Sequence, residues 1–306
     1  MSGAALRDPG AAGDGIVPRL EELVALRHEA PRMDTPGIGR AGMRGAAPSS
    51  LRGRGMEYAE SREYVPGDDV RRMDWRLTAR TGRAHTKLFQ AERERLALLV
   101  ADTSPALYFG TRVRFKSVQA ARAGAVATWA ALQAGDRIAA LRAGEPAIPP
   151  AGGMRGAMRV LEALSRWYAR PPADDAGLEL ALEHAQRLLR PGARLVVLAD
   201  PQAAAKVPLQ RWAALGRHHE ATLVLLQDAL EIAPPRRALA VASGGQRLHV
   251  PLQLAQARAQ WHQVLARPAE TLAQSLPAYG WRVHRLATDA TASGWLRPAR
   301  PLPPDA

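Results

Sequence analysis

Ala193-Arg-Leu-Val-Val-Leu-Ala-Asp200 is the stretch on which the fold turns. Apolar, largely aliphatic residues run on without polar alternation and stop at an aspartate. A strand buried on both faces of a parallel sheet reads this way. Working outward, the run over residues 96–101 ends the same way, at Asp102. Residues 136–141, 222–227 and 281–286 are further strand candidates, and 117–133, 154–168, 178–189 and 209–219 carry helical spacing. This alternation predicts an α/β domain over residues 93–290, a mostly parallel sheet with crossover helices. Residues 239–242 and 247–250, joined by Ser243-Gly-Gly-Gln246, predict a hairpin, and 252–276 a long helix bent at Pro268.

Before this domain the sequence changes character. Residues 1–17 read as a disordered tail and 18–29 as a short amphipathic helix with Leu20, Leu23, Val24 and Leu26 on its apolar side, by which it is expected to dock on the body. Residues 30–50 are dense in glycine and proline and predict an extended loop. Residues 56–64 and 85–89 are strand candidates flanking Arg62-Glu-Tyr-Val-Pro-Gly-Asp-Asp-Val-Arg-Arg-Met-Asp-Trp-Arg-Leu-Thr-Ala-Arg80. Pro66-Gly67 suits the centre of a type II turn. Asp68 or Asp69 stands where an N-cap belongs, and Val70, Met73 and Leu77 recur at helical spacing, predicting one buried edge that leaves Arg71, Asp74 and Arg76 outside. Residues 18–92 are expected to form one N-terminal, β-containing module, and residues 291–306 a Pro-rich tail.

The series Arg62, Tyr64, Pro66, Gly67, Asp68, Asp69, Arg71, Asp74, Trp75 and Arg80 resembles the signature of the bacterial family known as domain of unknown function 58. Arg52-Gly-Arg-Gly-Met-Glu-Tyr58 before it, and Lys87-Leu-Phe-Gln-Ala-Glu-Arg93 leading to Asp102-Thr-Ser104, extend the match. The resemblance implies a von Willebrand factor type A-like (Rossmann-like) sheet and an association with MoxR-type AAA+ ATPases, and with other von Willebrand type A proteins. It implies no enzymatic activity. In open α/β sheets ligands bind beyond the carboxyl ends of the strands, where Asp102 and Asp200 fall. In von Willebrand type A domains a metal-ion-dependent adhesion site forms there, and its implied Mg²⁺ ligands in this chain are Asp102, Ser104 and Asp200, with Asp174 or Asp175 contributing. The pattern is degenerate: Ala106 replaces the second serine, Pro201 follows Asp200, and no loop hydroxyl is evident. The expectation is a weak or unoccupied site and no cofactor.

The chain has 306 residues, 47% of them hydrophobic, enough for a full core. It contains no cysteine, which excludes disulfides, thiolate metal sites and thiol nucleophiles. No apolar run approaches bilayer length and no leader is evident, so a cytoplasmic protein is expected. The net charge of +13 raises nucleic acid as a partner, but the arginines interleave with Glu57, Glu60, Glu63, Asp68, Asp69, Asp74, Glu92 and Glu94, as on a salt-bridged surface. His218-His219 lacks companions at metal-ligand spacing, and neither a Gly-x-Ser-x-Gly elbow nor a phosphate-binding loop is present. Trp129, Trp167, Trp212 and Trp261 fall in predicted helices, where packing is expected.

The function expected is a non-enzymatic adaptor or co-chaperone of a MoxR-type AAA+ ATPase, with the signature as either a docking surface or an internal brace. The alternatives are a nucleic-acid-associated basic protein and a metal-dependent hydrolase at the Asp102/Asp200 crevice.

Overall fold

The computed structural model describes residues 15–30, 56–91, 95–173, 175–243 and 246–296. The expectations for most of the N-terminal tail, the Gly/Pro-rich loop, Asp174, the hairpin tip and the last ten residues lie outside them. The chain forms two compact units, Thr35–Glu94 and the remainder.

The larger unit opens with α1 (Leu20–Ala25) and a 3₁₀ turn (Leu26–His28). The smaller holds β1 (Met56–Glu63), α2 (Trp75–Thr81) and β2 (His85–Ala91), the two strands pairing antiparallel. The larger unit resumes with β3 (Leu96–Ala101), α3 (Lys116–Gln133), β4 (Arg137–Leu141), β5 (Ile148–Ala151), α4 (Gly153–Trp167) and α5 (Leu178–Leu188). It continues through β6 (Arg194–Ala199), α6 (Pro201–Ala205), α7 (Leu209–Gly216), β7 (Glu220–Gln227) and α8 (Ala229–Ile232). A hairpin of β8 (Ala238–Ser243) and β9 (Gln246–Pro251) precedes α9 (Ala255–Trp261), α10 (Arg267–Ser275) and β10 (Trp281–Ala287).

The sheet order is β10-β7-β6-β3-β4-β5, parallel except for β5. The mostly parallel α/β architecture read from the sequence is therefore present. Side chains of β3 and β6 point alternately to two cores. Leu99, Val196 and Leu198 join Leu23, Val126, Trp129 and Leu164 on one face. Leu98, Val100, Leu195 and Val197 join Leu182, Trp212, Leu215 and Leu272 on the other. Helix α3 is buried on nearly all sides, which its small residues permit: a Cβ on Gly124 would sit 2.9 Å from Leu164 and 3.0 Å from Leu198.

Several expectations need correction. The module boundary at residue 18 is one: Leu20–His28 belongs to the larger unit, docked on it by its apolar side as expected, with Leu23 and Leu26 buried, Glu22 paired with Arg122, and the Trp129 indole donating to Leu23 O at 2.9 Å. The tail does not begin at residue 291, because Ala292 and Trp295 are buried in the core. Nor is Gly15 free, since its carbonyl accepts from Phe115 N at 2.8 Å. Strand β5 was not anticipated; its sequence Ile-Pro-Pro-Ala lacks two ladder donors and is tolerated because it lies at an edge. The long helix of residues 252–276 is interrupted by a π-helical turn, His262–Ala266. Pro268 lacks the N–H that would reach Val264 O, and the Gln202 side chain approaches that carbonyl at 3.4 Å.

Candidate functional site

The smaller unit carries the signature, and its three aspartates each accept a hydrogen bond from nearby backbone N–H groups. Asp68 N donates to Val65 O at 3.0 Å across Pro66-Gly67, with Gly67 at φ 108°, which is the turn the sequence predicts. The Asp68 carboxylate holds Arg62 at 2.7 Å and Val65 N at 3.0 Å, and Tyr64 N donates to Ala84 O at 2.8 Å. Asp69 caps a 3₁₀ turn, Val70–Arg72, by accepting from Arg71 N. The single helix expected through Val70, Met73 and Leu77 is broken: Met73 is extended and bridges to Thr86, so Val70 is left exposed.

Asp74, expected to lie outside the buried edge, is half-buried and is the N-cap of α2. Its Oδ1 accepts from Leu77 N at 3.0 Å and its Oδ2 from Ser61 Oγ at 2.8 Å. The Leu77 amide first, then Ser61, holds its carboxyl below the usual aspartate range. Trp75, the first residue of that helix, is 65% exposed. Arg71, Arg76 and Arg80 are exposed too, and their guanidinium groups have no ion-pair partner among the described residues. The signature thus divides: Arg62, Asp68, Asp69 and Asp74 build the module, while Trp75 and three arginines face outward.

The larger unit gathers three aspartates at the carboxyl ends of adjacent strands, Asp102 after β3, Asp200 after β6 and Asp228 after β7. Asp102 Oδ1 accepts from Ser104 N at 2.9 Å; its Oδ2 accepts from Ser104 Oγ at 3.1 Å and Asp200 N at 2.9 Å. Burial pushes its carboxyl up to about 6 against the lowering effect of these bonds. Asp200 caps α6 through Gln202 N at 2.8 Å, and its Oδ2 receives the Lys116 ammonium at 2.6 Å. Lys116 also meets Glu231 Oε1 at 2.6 Å, and Glu231 Oε2 accepts from Asp228 N at 2.8 Å. Asp228 is held by Thr111, Leu230 N and Thr288; burial opposes ionisation there, but these donors win and lower its pKa.

Lys116 is the first residue of α3, a position where the helix dipole disfavours a cation. Burial also works against its charge, yet the two carboxylates outweigh both and raise its pKa. The same burial lifts Glu231 above the usual glutamate range despite the ammonium.

The implied Mg²⁺ does not fit this donor set. Both Asp102 oxygens and both Asp200 oxygens already accept protein hydrogens, and Ser104 Oγ donates to Asp102. Asp175 instead accepts from Gly177 N at 3.2 Å on an exposed loop. Among the described residues no set of three or more His, Cys, Asp or Glu side chains is placed to hold a metal ion. The sequence reading missed Lys116, Asp228 and Glu231. Two signals were available: Lys116 is one of three lysines in an arginine-rich chain, and Asp228-Ala-Leu-Glu231 has capping-box spacing after a strand.

Fold and site define an open α/β protein whose strand-end carboxylates close on an internal lysine, joined to a small β-module with an outward tryptophan. The family model described as Protein of unknown function DUF58 matches residues 60–271, and the chain belongs to that family. It is similar to uncharacterized proteins of Mycobacterium bovis and of two strains of Mycobacterium tuberculosis, each 36% identical over 151 residues, covering 48% of this chain and 48% of the relative. The chain thus spans about half the length of the curated relatives it matches. No solved structure matches. No helix among the described residues is long and apolar enough to cross a membrane.

Proposed function

We propose that this chain is a non-enzymatic adaptor that docks on a MoxR-type AAA+ ATPase through its signature module and presents a protein complex for assembly or remodelling. The ATP chemistry belongs to the partner, and both proteins act in the cytoplasm. The observation that carries this reading is Trp75, 65% exposed at the start of a helix whose cap, Asp74, is fixed by Leu77 N and Ser61. A large aromatic left in solvent among exposed arginines has the composition of an interface anchor. The partner class follows from the resemblance carried by the signature, which also implies the von Willebrand type A-like character of the larger unit.

A metal-dependent hydrolase at the Asp102/Asp200 crevice is the weaker reading, because the carboxylates there accept from Lys116, Ser104 and backbone amides. Co-purification of the full chain with a MoxR-type ATPase from the same genome, with and without a non-hydrolysable ATP analogue, tests the adaptor. Retention of the pair through gel filtration supports it; separate elution under both conditions rejects it.

A further inference from the structure

The geometry points to Lys116 as a resident cation that stands in place of a divalent metal, so that the carboxyl end of this sheet is assembled without one. Three loops meet at its ammonium. Asp200 Oδ2 brings the end of β6, Glu231 Oε1 brings the turn after β7, and the lysine itself opens α3, each carboxylate contact being 2.6 Å. Asp102 is drawn in at one remove, through the Asp200 amide at 2.9 Å. An ammonium has three donors. Two meet carboxylates, and the Phe109 ring lies 5.9 Å from the nitrogen on another side.

Lys116 is 1% exposed and Asp200 equally so. A hydrated Mg²⁺ keeps several waters and approaches carboxylate oxygens at about 2.1 Å. It has no room to share these two oxygens with a lysine already on them. Because the cation is tethered to α3, it cannot exchange, and a ligand carboxylate arriving at this face meets no open coordination position. This inference concerns the larger unit alone and stands whether or not the signature docks an ATPase.

Thermal melting in EDTA and in millimolar Mg²⁺ or Mn²⁺ tests it on the full chain. Wild-type protein is expected to melt at the same temperature in all three. Lys116→Ala leaves Asp200 and Glu231 facing each other with no counter-charge. It is expected to lower the melting temperature by on the order of 10 °C in EDTA, with part of the loss recovered in Mn²⁺, since two carboxylates and waters suffice for a weak hard-cation site. Lys116→Met fills the space without charge and is expected to be destabilised with no recovery. A wild-type melting point that rises in Mg²⁺ or Mn²⁺ overturns the inference, as does a Lys116→Ala protein that melts like wild type. If both variants fail to fold, the wild-type comparison decides alone, with Mn²⁺ binding followed by electron paramagnetic resonance: undetectable binding supports the resident lysine, and stoichiometric binding abolished by Asp200→Asn overturns it.

Discussion

The Asp74 carboxylate closes the first turn of α2 on itself, accepting the Leu77 amide at 3.0 Å, and so holds the backbone of its neighbour Trp75 at the head of that helix. Adjacent residues therefore have separable jobs. Asp74 is intramolecular, whereas the Trp75 ring is in solvent.

This separation makes the first prediction. Asp74→Ala removes an N-cap and should lower the stability measurably, whereas Trp75→Ala should change stability by no more than about 0.5 kcal/mol, as for other exposed positions. In a pull-down against the MoxR-type ATPase, Trp75→Ala should lose most of the association and Asp102→Ala should lose less. Chemical denaturation beside the pull-down separates the outcomes. A large stability loss on Trp75→Ala would make the tryptophan a brace, and intact binding in a stable variant would remove it from the interface.

The second prediction concerns charge. A net +13 would favour phosphate backbones, yet many of the described arginines are internally matched. Arg95, Arg194 and Arg282 surround Glu220, Arg194 reaches Asp136 at 2.8 Å, and Arg83 pairs with Glu63 at 2.9 Å. Nucleic-acid binding should therefore be weak, independent of sequence and quickly lost between about 50 and 200 mM salt. Mobility shifts over that range measure it. Tight, sequence-selective binding at the upper end would favour a nucleic-acid protein over the adaptor.

The legible parts of this molecule were those whose information is local. Runs such as Leu195–Leu198 declare a doubly buried strand because both faces must be apolar, and Pro66-Gly67 declares its turn through backbone geometry. What escaped was non-local. Lys116 lies 84 positions from Asp200 and 115 from Glu231, and nothing in either neighbourhood shows that they meet. The division of the signature escaped for another reason: the helical spacing of Val70, Met73 and Leu77 predicts one helical turn, while a strand bridge from Met73 to Thr86 breaks it. Pro268 was expected to bend one long helix; it stands instead in the first turn of α10, just after a π-helical turn over His262–Ala266 that no local pattern announces.

A third prediction tests the packing of α7 against the start of β10. A Cβ on Gly216 would lie 2.1 Å from Tyr279 O and 2.7 Å from the Trp281 ring, which itself meets Trp212 edge-on at 4.9 Å. Neither a backbone carbonyl nor a buried indole can yield cheaply. Gly216→Ala should destabilise the protein by roughly 2–4 kcal/mol, with altered tryptophan emission in the native state. Unchanged urea midpoints would mean that α7 and β10 stand further apart than the structure has them.

The last prediction is a pH dependence from His284 on β10. Its imidazole lies 6.2 Å from the Trp295 ring, at 63° to it, and burial first, then the Arg282 charge, pushes its pKa below the usual histidine value. The sign follows from proton counting. Below about pH 6.5 the unfolded chain takes up a proton here that the folded chain resists. Stability from this site is therefore present above that value and lost as pH falls through the folded pKa. Asp102, raised to about 6, acts in the opposite sense, contributing most at low pH, so the global curve alone does not isolate either group. The informative quantity is the stability difference between wild type and His284→Gln, a variant that removes the proton site. As pH falls from 7.5 to 5.5, wild type should lose ground relative to the variant in parallel urea titrations. If it gains ground instead, His284 is stabilised as a cation and Trp295 does not shield it.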